Sequence, residues 1–122
     1  MPTRVLLIDD EVTVTQVCAD MLTSEGYLVR AENDPQSAVR TAREFRPDVV
    51  FLDYRMPGMS GADVAWTFAA DAELRDIPLV VLTGWPEAAR RDFFPPSKVQ
   101  IMAKPMTLHS LVDAIEQAVL VK

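Results

Sequence analysis

The chain has 122 residues, 49% of them hydrophobic, so it is long enough for one domain and apolar enough to enclose one core. Its 18 acidic residues outnumber 12 basic ones, giving a formal net charge of −6. No basic stripe interrupts this balance, which disfavours direct nucleic-acid binding. No run is apolar enough to span a membrane, and the single cysteine, Cys18, is typical of a buried helix residue in a reducing cytoplasm. We therefore expect a cytoplasmic domain that contacts neither membrane nor nucleic acid.

Short apolar runs alternate with amphipathic stretches from the start of the chain. The first strand is predicted at residues 5–8. An amphipathic helix follows and closes near Gly26, and its predicted buried face consists of Val14, Val17, Cys18, Met21 and Leu22. A second strand is predicted at 27–31. Asp34 and Pro35 then predict an N-cap with proline at the first position of the next helix.

The second half of the chain repeats this alternation. Further strands are predicted at 49–52, 79–82 and 99–103. Ser60 with Asp63 resembles a capping pair that opens a third helix. A short fourth helix starts near Pro86 and is ended by the prolines at 95–96, and a last amphipathic helix completes the set. Five strands alternating with five helices predict right-handed βαβ crossovers and a parallel sheet covered on both faces.

Polar side chains follow four of the predicted strands at their carboxyl ends. Asp9 and Asp10 follow the first strand, Asp53 the third, Thr83 the fourth and Lys104 the fifth. Each alone is typical of a turn, a cap or a solvated surface, but a doubly wound sheet brings all of them to one ligand-binding edge. Clustered carboxylates either take up a proton or bind a cation, and this oxygen set suits Mg²⁺. With lysine and threonine donors beside it, the edge predicts a phosphoryl site in which a carboxylate is the nucleophile.

The sequence resembles the CheY-like receiver family of response regulators in two-component signalling. The matching segments follow family order and spacing over essentially the whole chain, at 5–11 (VLLIDDE), 53–58 (DYRMPG), 82–84 (LTG) and 104–105 (KP). The resemblance implies one receiver domain over residues 1–122. It also implies an α/β, flavodoxin-like, doubly wound five-stranded parallel sheet of order 2-1-3-4-5 with five helices on two faces.

The resemblance further implies a phosphoacceptor and a metal site. Asp53 would accept a phosphoryl group from a phosphohistidine on a sensor histidine kinase or a histidine phosphotransfer protein. Asp10, Asp53 and the backbone carbonyl of Arg55 would ligate Mg²⁺, with Asp9 acting through a bound water or as a further acid. The domain would then be a signalling switch and not an enzyme, beyond self-catalysed phosphotransfer and autodephosphorylation.

Two donors would hold the phosphoryl group in such a domain. Lys104 would pair with the carboxylate and then with the phosphoryl oxygens, and the Lys104–Pro105 peptide is cis in this family. Thr83 would swing inward to hydrogen-bond the phosphoryl group. The surface around the fourth helix, fifth strand and fifth helix would then change for a downstream protein or a fused output domain.

Two departures from the family pattern bear on this readout. Ile101 lies three residues before Lys104, where the family usually places Tyr or Phe. In the family that aromatic ring turns inward when the threonine moves, so Ile101 predicts that this coupling is altered. The prolines at 95–96 shorten the fourth helix where relatives continue it. Phe93 and Phe94 are then either partner contacts or core residues, and the core role is favoured for at least one of them.

Two further side chains resemble the positions that flank the path of attacking water in the family. They are Arg55 and Trp85, which lie two residues beyond Asp53 and Thr83. Trp85 is bulky for such a position. We therefore predict that it shields the aspartyl phosphate and slows its hydrolysis.

Three other functions compete with a phosphorylated receiver. A pseudo-receiver would use the same fold as a phosphorylation-independent interaction module; Ile101 leaves room for it, whereas the intact acids and Lys104 argue against it. A haloacid-dehalogenase-type phosphatase needs a second Asp where this chain has Arg55. A flavodoxin-like FMN carrier needs a first loop rich in Ser, Thr or Gly, whereas residues 9–11 are all acidic and would repel phosphate.

Overall fold

The computed structural model of the chain describes residues 2–92, 94–95 and 98–120. The strands are β1 (Arg4–Ile8), β2 (Leu28–Glu32), β3 (Val49–Asp53), β4 (Leu79–Thr83) and β5 (Val99–Ala103). The helices are α1 (Val12–Ser24), α2 (Ala38–Phe45), α3 (Gly61–Ala69), α4 (Pro86–Arg90) and α5 (Leu108–Leu120). A short 3₁₀ helix at Pro35–Ser37 precedes α2.

The five strands form one parallel sheet in the order β2-β1-β3-β4-β5, as expected. Every residue of β3 and β4 is buried, because each of these strands has a neighbour on both sides and helices on both faces. The edge strands β2 and β5 are partly exposed. The order puts β1 and β3 side by side at the centre, so the loops that follow them meet at one edge of the sheet.

The core consists of two apolar layers, one on each face of the sheet. Alternation along β1 sends Leu6 and Ile8 to one layer and Val5 and Leu7 to the other. The first layer packs against buried residues of α2 and α3, and the second against those of α1 and α5. The central strands β3 and β4 are buried along their whole length, so their polar side chains can reach solvent only at the strand ends.

Local signals in the sequence determine several of the helix ends. The predicted capping box opens α3: the Ser60 side chain accepts a hydrogen bond from the Asp63 backbone N–H, and the Ser60 backbone N–H donates one to the Asp63 carboxylate. The Asp34 carboxylate caps the 3₁₀ helix, with α2 beginning three residues later than the predicted start. As predicted, α4 is short and ends at Arg90.

One helix-face prediction was wrong. Val17 was assigned to the buried face of α1 but is 52% exposed. The residues of α1 that are buried are Thr15, Cys18 and Leu22. Because successive helical residues are rotated by about 100°, the stripe centred on Cys18 turns Val17 outward. Within the described residues, no helix is long and apolar enough to cross a bilayer.

Candidate functional site

Three carboxylates meet at the carboxyl edge of the central strands. Ile8 pairs in register with Leu52, so Asp9 and Asp53 follow neighbouring strand positions. The carboxylate oxygens of Asp9, Asp10 and Asp53 lie within 4.8 Å of one another. Asp9 and Asp53 are buried and Asp10 is half-buried. The structure thus brings together the three acids that the sequence predicts to share a site.

Lys104 joins this cluster from the far side of the sheet. Its Nζ donates a hydrogen bond to Asp53 Oδ1 at 2.6 Å, linking residues 51 positions apart. Burial of the ammonium opposes its charge, but the hydrogen bond and the charge of Asp53 outweigh burial and raise the pKa of Lys104. The Lys104–Pro105 peptide is cis, as predicted. Lys104 is therefore a fixed positive charge in direct contact with the central carboxylate.

The charge of Asp9 is less well compensated. Burial, followed by the nearby Asp53 and Asp10 carboxylates, raises the pKa of Asp9 to about 6, although the Glu11 N–H and Lys104 act in the opposite direction. The Glu11 N–H donates to Asp9 Oδ1 at 3.0 Å, which orients this carboxylate. Three close carboxylates facing one ammonium leave an excess of negative charge, and an all-oxygen set of this kind fits a hard divalent cation.

Thr83 ends β4 and is buried beside this edge. Its backbone carbonyl accepts from the Lys104 N–H at 2.8 Å, and its Oγ1 accepts from the Trp85 N–H at 3.0 Å. The hydroxyl oxygen is thus engaged with the loop that leads into α4. Ile101 pairs with Val81 in the sheet and packs, half-buried, against the core, as expected of a strand residue. The inward swing of Thr83 stays a prediction.

The loops beyond Asp53 and Thr83 contact each other, as the spacing of their residues suggests. The Arg55 guanidinium carbon lies 5.5 Å from the centroid of the Trp85 ring, in cation–π geometry. Trp85 is 67% exposed, so its ring lies on the surface beside Arg55. Phe94 is half-buried against the core, which confirms the core role for one of the two phenylalanines, whereas Phe93 lies outside the described residues.

Asn33 supports the site, although no motif in the sequence points to it. Its Nδ2 donates to the backbone carbonyl of Asp9 at 2.7 Å and to Thr15 Oγ1 at 3.0 Å. These bonds tie the acidic loop to the end of β2 and the first turns of α1. An asparagine after a strand is usually a turn former, so only the tertiary contact with a loop 24 residues earlier reveals this role.

Comparison with known proteins identifies the class to which this fold and site belong. The family model for the response regulator receiver domain matches residues 5–116. The chain belongs to that family, and it is a receiver domain of two-component signalling. In this family, phosphorylation and Mg²⁺ binding are general features, and the domain serves signalling.

Two groups of mycobacterial relatives agree with this assignment. The transcriptional regulatory protein PdtaR of Mycobacterium tuberculosis is 36% identical over 98% of this chain and 58% of its own length. The DNA-binding response regulator MtrA of Mycolicibacterium paratuberculosis is 36% identical over 68% of this chain and 36% of its own. The chain therefore spans less than two thirds of the curated relatives it matches.

Solved structures show the same fold. A putative response regulator from Chloroflexus aurantiacus superposes with a TM-score of 0.87 at 24% identity, covering 98% of this chain and 99% of that one. The receiver domain of the sensor histidine kinase PA1611 from Pseudomonas aeruginosa superposes with a TM-score of 0.84 at 25% identity, covering 98% of both chains. The latter structure has a magnesium ion coordinated in its active-site cleft.

Proposed function

We propose that Asp53 is the phosphoacceptor of this receiver domain. The observation that carries the proposal is the 2.6 Å contact between Lys104 Nζ and Asp53 Oδ1 inside a cluster of three carboxylates. A buried carboxylate oriented by a fixed cation, at the ligand-binding edge of a doubly wound sheet, is placed to act as a nucleophile. We also propose that residues 1–122 function as one such domain.

The phosphoryl donor in this proposal is a phosphohistidine on a histidine kinase or a histidine phosphotransfer protein. An oxygen of Asp53 attacks phosphorus, a P–O bond forms, and the P–N bond to the imidazole breaks. The electron pair stays on the imidazole nitrogen, which is then protonated. Lys104 and the Thr83 hydroxyl stabilise the negative charge on the transferring group, because both donors lie at the same strand edge.

Mg²⁺ is the cation that this donor set suits best. We propose that Asp10, Asp53 and the backbone carbonyl of Arg55 hold it, with Asp9 acting through a bound water. When bound, the ion would neutralise charge on the carboxylates and on the phosphoryl oxygens. The half-buried Asp10 leaves one side of the cluster open to solvent, as a cation that retains several waters requires.

Intact mass spectrometry after incubation with Mg²⁺ and a small-molecule acyl phosphate tests the proposal. We expect one phosphoryl group per chain, located at residue 53 by fragmentation and lost in Asp53→Asn. Asp113→Asn, which changes an exposed aspartate on α5, is the matched control and should be phosphorylated normally. A phosphoryl group on another residue contradicts the assignment. No mass gain at all favours the pseudo-receiver, a phosphorylation-independent interaction module.

The downstream partner follows from the family and from the greater length of the relatives. PdtaR is named as a transcriptional regulatory protein and MtrA as a DNA-binding response regulator, and both are longer than the matched segment. We propose that the phosphorylated surface of this chain acts on a separate protein or on a fused output domain. Transfer from a kinase that carries radiolabelled phosphohistidine identifies the upstream partner, with Asp53→Asn as the inactive acceptor.

A further inference from the structure

Tyr54 connects the phosphoacceptor strand to the segment that follows α4. It comes directly after Asp53, and its hydroxyl donates to Asp92 Oδ2 at 2.7 Å across 38 positions of sequence. Its ring centroid lies 6.3 Å from that of Phe94. The hydrogen bond to Asp92 raises the pKa of Tyr54, so the phenol stays protonated and donates at neutral pH. A polar and an aromatic contact thus join the same two segments.

The backbone of Tyr54 leaves little room for a movement to be absorbed locally. Its N–H donates to the Leu82 carbonyl at 3.0 Å, and its carbonyl accepts from the Gly61 N–H at 2.7 Å. A Cβ on Gly61 would lie 2.9 Å from both the Asp53 carbonyl oxygen and the Tyr54 Cα, so α3 begins against this junction. Tyr54 is therefore firmly linked to Asp53, to β4 and to the start of α3.

The other end of α4 is also tied to the site. Thr83 Oγ1 accepts from the backbone N–H of Trp85, the residue before the helix. The Arg55 guanidinium stacks on the Trp85 ring. Because α4 has only five residues, helix propensity alone cannot hold its position, and the helix relies on the buried Ala89 and on contacts at its ends. Both ends are held by residues next to the site: Thr83 and Arg55 at its start, Tyr54 just after its end.

We infer that Tyr54 couples the phosphorylation state of Asp53 to the position of α4, where Ile101 cannot provide the aromatic relay; this inference rests on the proposed function. A phosphoryl group adds roughly two negative charges and draws the Thr83 hydroxyl toward it. The start of α4 then loses its acceptor, and the shift at Asp53 carries Tyr54 away from Asp92. Phosphorylation therefore releases α4 at both ends.

Hydrogen–deuterium exchange of the full chain, before and after phosphorylation, tests this coupling. In the wild-type protein we expect phosphorylation to speed exchange of the backbone amides of α4 and of Asp92. In Tyr54→Phe the same amides should exchange roughly two- to fivefold faster before phosphorylation, which is the fold-change for losing one exposed hydrogen bond. Phosphorylation should then add little at Asp92, whereas the start of α4 should still respond because it loses the Thr83 acceptor. Tyr27→Phe removes the other tyrosine hydroxyl and should behave as the wild type.

A double-mutant cycle separates the hydrogen bond from other roles of the two residues. If the hydrogen bond is what the two residues share, the effects of Asp92→Ala and Tyr54→Phe on the exchange rates should not add. The double mutant should then exchange more slowly than the two single effects together predict, by the contribution of the shared bond. If Tyr54→Phe keeps the wild-type response to phosphorylation while its residue 53 is phosphorylated normally, the coupling is overturned and the proposed function stands. If the wild-type protein is not phosphorylated, both are overturned.

Discussion

The ion pair between Lys104 and Asp53 should oppose Mg²⁺ binding and favour phosphorylation, and one substitution tests both effects. Lys104→Met removes the ammonium and keeps an unbranched side chain of similar reach. The substitution should strengthen Mg²⁺ binding, because the ammonium repels a dication at the same carboxylates. It should also slow phosphorylation, because the ammonium no longer stabilises the transferring group. A purely structural lysine would not produce both effects.

The size of the change in Mg²⁺ affinity, phosphorylation rate and stability follows from the charges involved and the exposure of Lys104. Two unit charges about 4 Å apart interact by about 4 kcal/mol at an effective dielectric constant near 20. The Lys104 side chain is 29% exposed, so we reduce this value for solvent screening. Screening brings the interaction close to the limit of about 1 kcal/mol in water, and about 1.4 kcal/mol corresponds to roughly tenfold tighter Mg²⁺ binding. Loss of one donor to a developing negative charge slows phosphotransfer by about a hundredfold. Leaving Asp53 without its donor lowers the metal-free unfolding free energy by about 1–3 kcal/mol.

Three measurements on the same protein check these values. Titration calorimetry gives the Mg²⁺ affinity, a mass-spectrometric time course gives the phosphorylation rate, and urea unfolding with a chelator gives the stability. Lys98→Met, an exposed lysine directly before β5, is the control and should match the wild type in all three. Weaker or unchanged Mg²⁺ binding in Lys104→Met would refute the electrostatic reasoning. A phosphorylation rate within about threefold of the wild-type rate would show that Lys104 does not stabilise the charge on the transferring group.

Two further substitutions test the surroundings of the site, and a third tests the ion pair between Arg43 and Asp71. Asn33→Ala should weaken Mg²⁺ binding roughly tenfold in calorimetry, because it frees the Asp9 carbonyl and loosens the acidic loop. Trp85→Ala should shorten the lifetime of the aspartyl phosphate roughly threefold, followed by intact mass, because the ring that Arg55 holds no longer excludes water. Asp71→Asn should lower the urea midpoint at neutral pH. The Glu73 N–H, together with Arg43, lowers the pKa of Asp71, so its stabilisation is present above the ordinary value of 3.8 and is lost as the pH falls through the lowered pKa.

Each of these predictions has a matched comparison. Gln16→Ala, on the exposed face of α1, should leave Mg²⁺ binding unchanged; equal affinity in Asn33→Ala would show that the loop needs no such support. Trp66→Ala, on α3, should not alter the lifetime of the aspartyl phosphate. An unaltered lifetime in Trp85→Ala would show that the Trp85 ring does not shield the aspartyl phosphate from water. For Asp71→Asn, a stability difference from wild type that persists unchanged into strong acid would contradict the assigned cause.

The contacts between distant segments show what the sequence could not reveal. Lys104 and Asp53 are 51 positions apart; their common edge was predicted because parallel strands end together, and their pairing was implied by the resemblance to receiver domains. Asn33 and Tyr54 carry no such positional signal. Their partners, the Asp9 carbonyl and Asp92, lie in irregular segments whose paths depend on how the helices pack. The neighbouring sequence does not distinguish an asparagine that forms a turn from one that supports a site.

The sequence by itself determined the order of elements, the early end of α4 and the set of residues at the carboxyl edge of the sheet. Apolar runs, proline and capping residues act over a few neighbouring positions, so their consequences can be derived without a fold. Only the tertiary structure decided that Val17 faces solvent, that Asn33 supports the acidic loop and that Tyr54 reaches Asp92. These outcomes depend on which surfaces meet once the helices pack on the sheet, and that packing is a property of the whole chain.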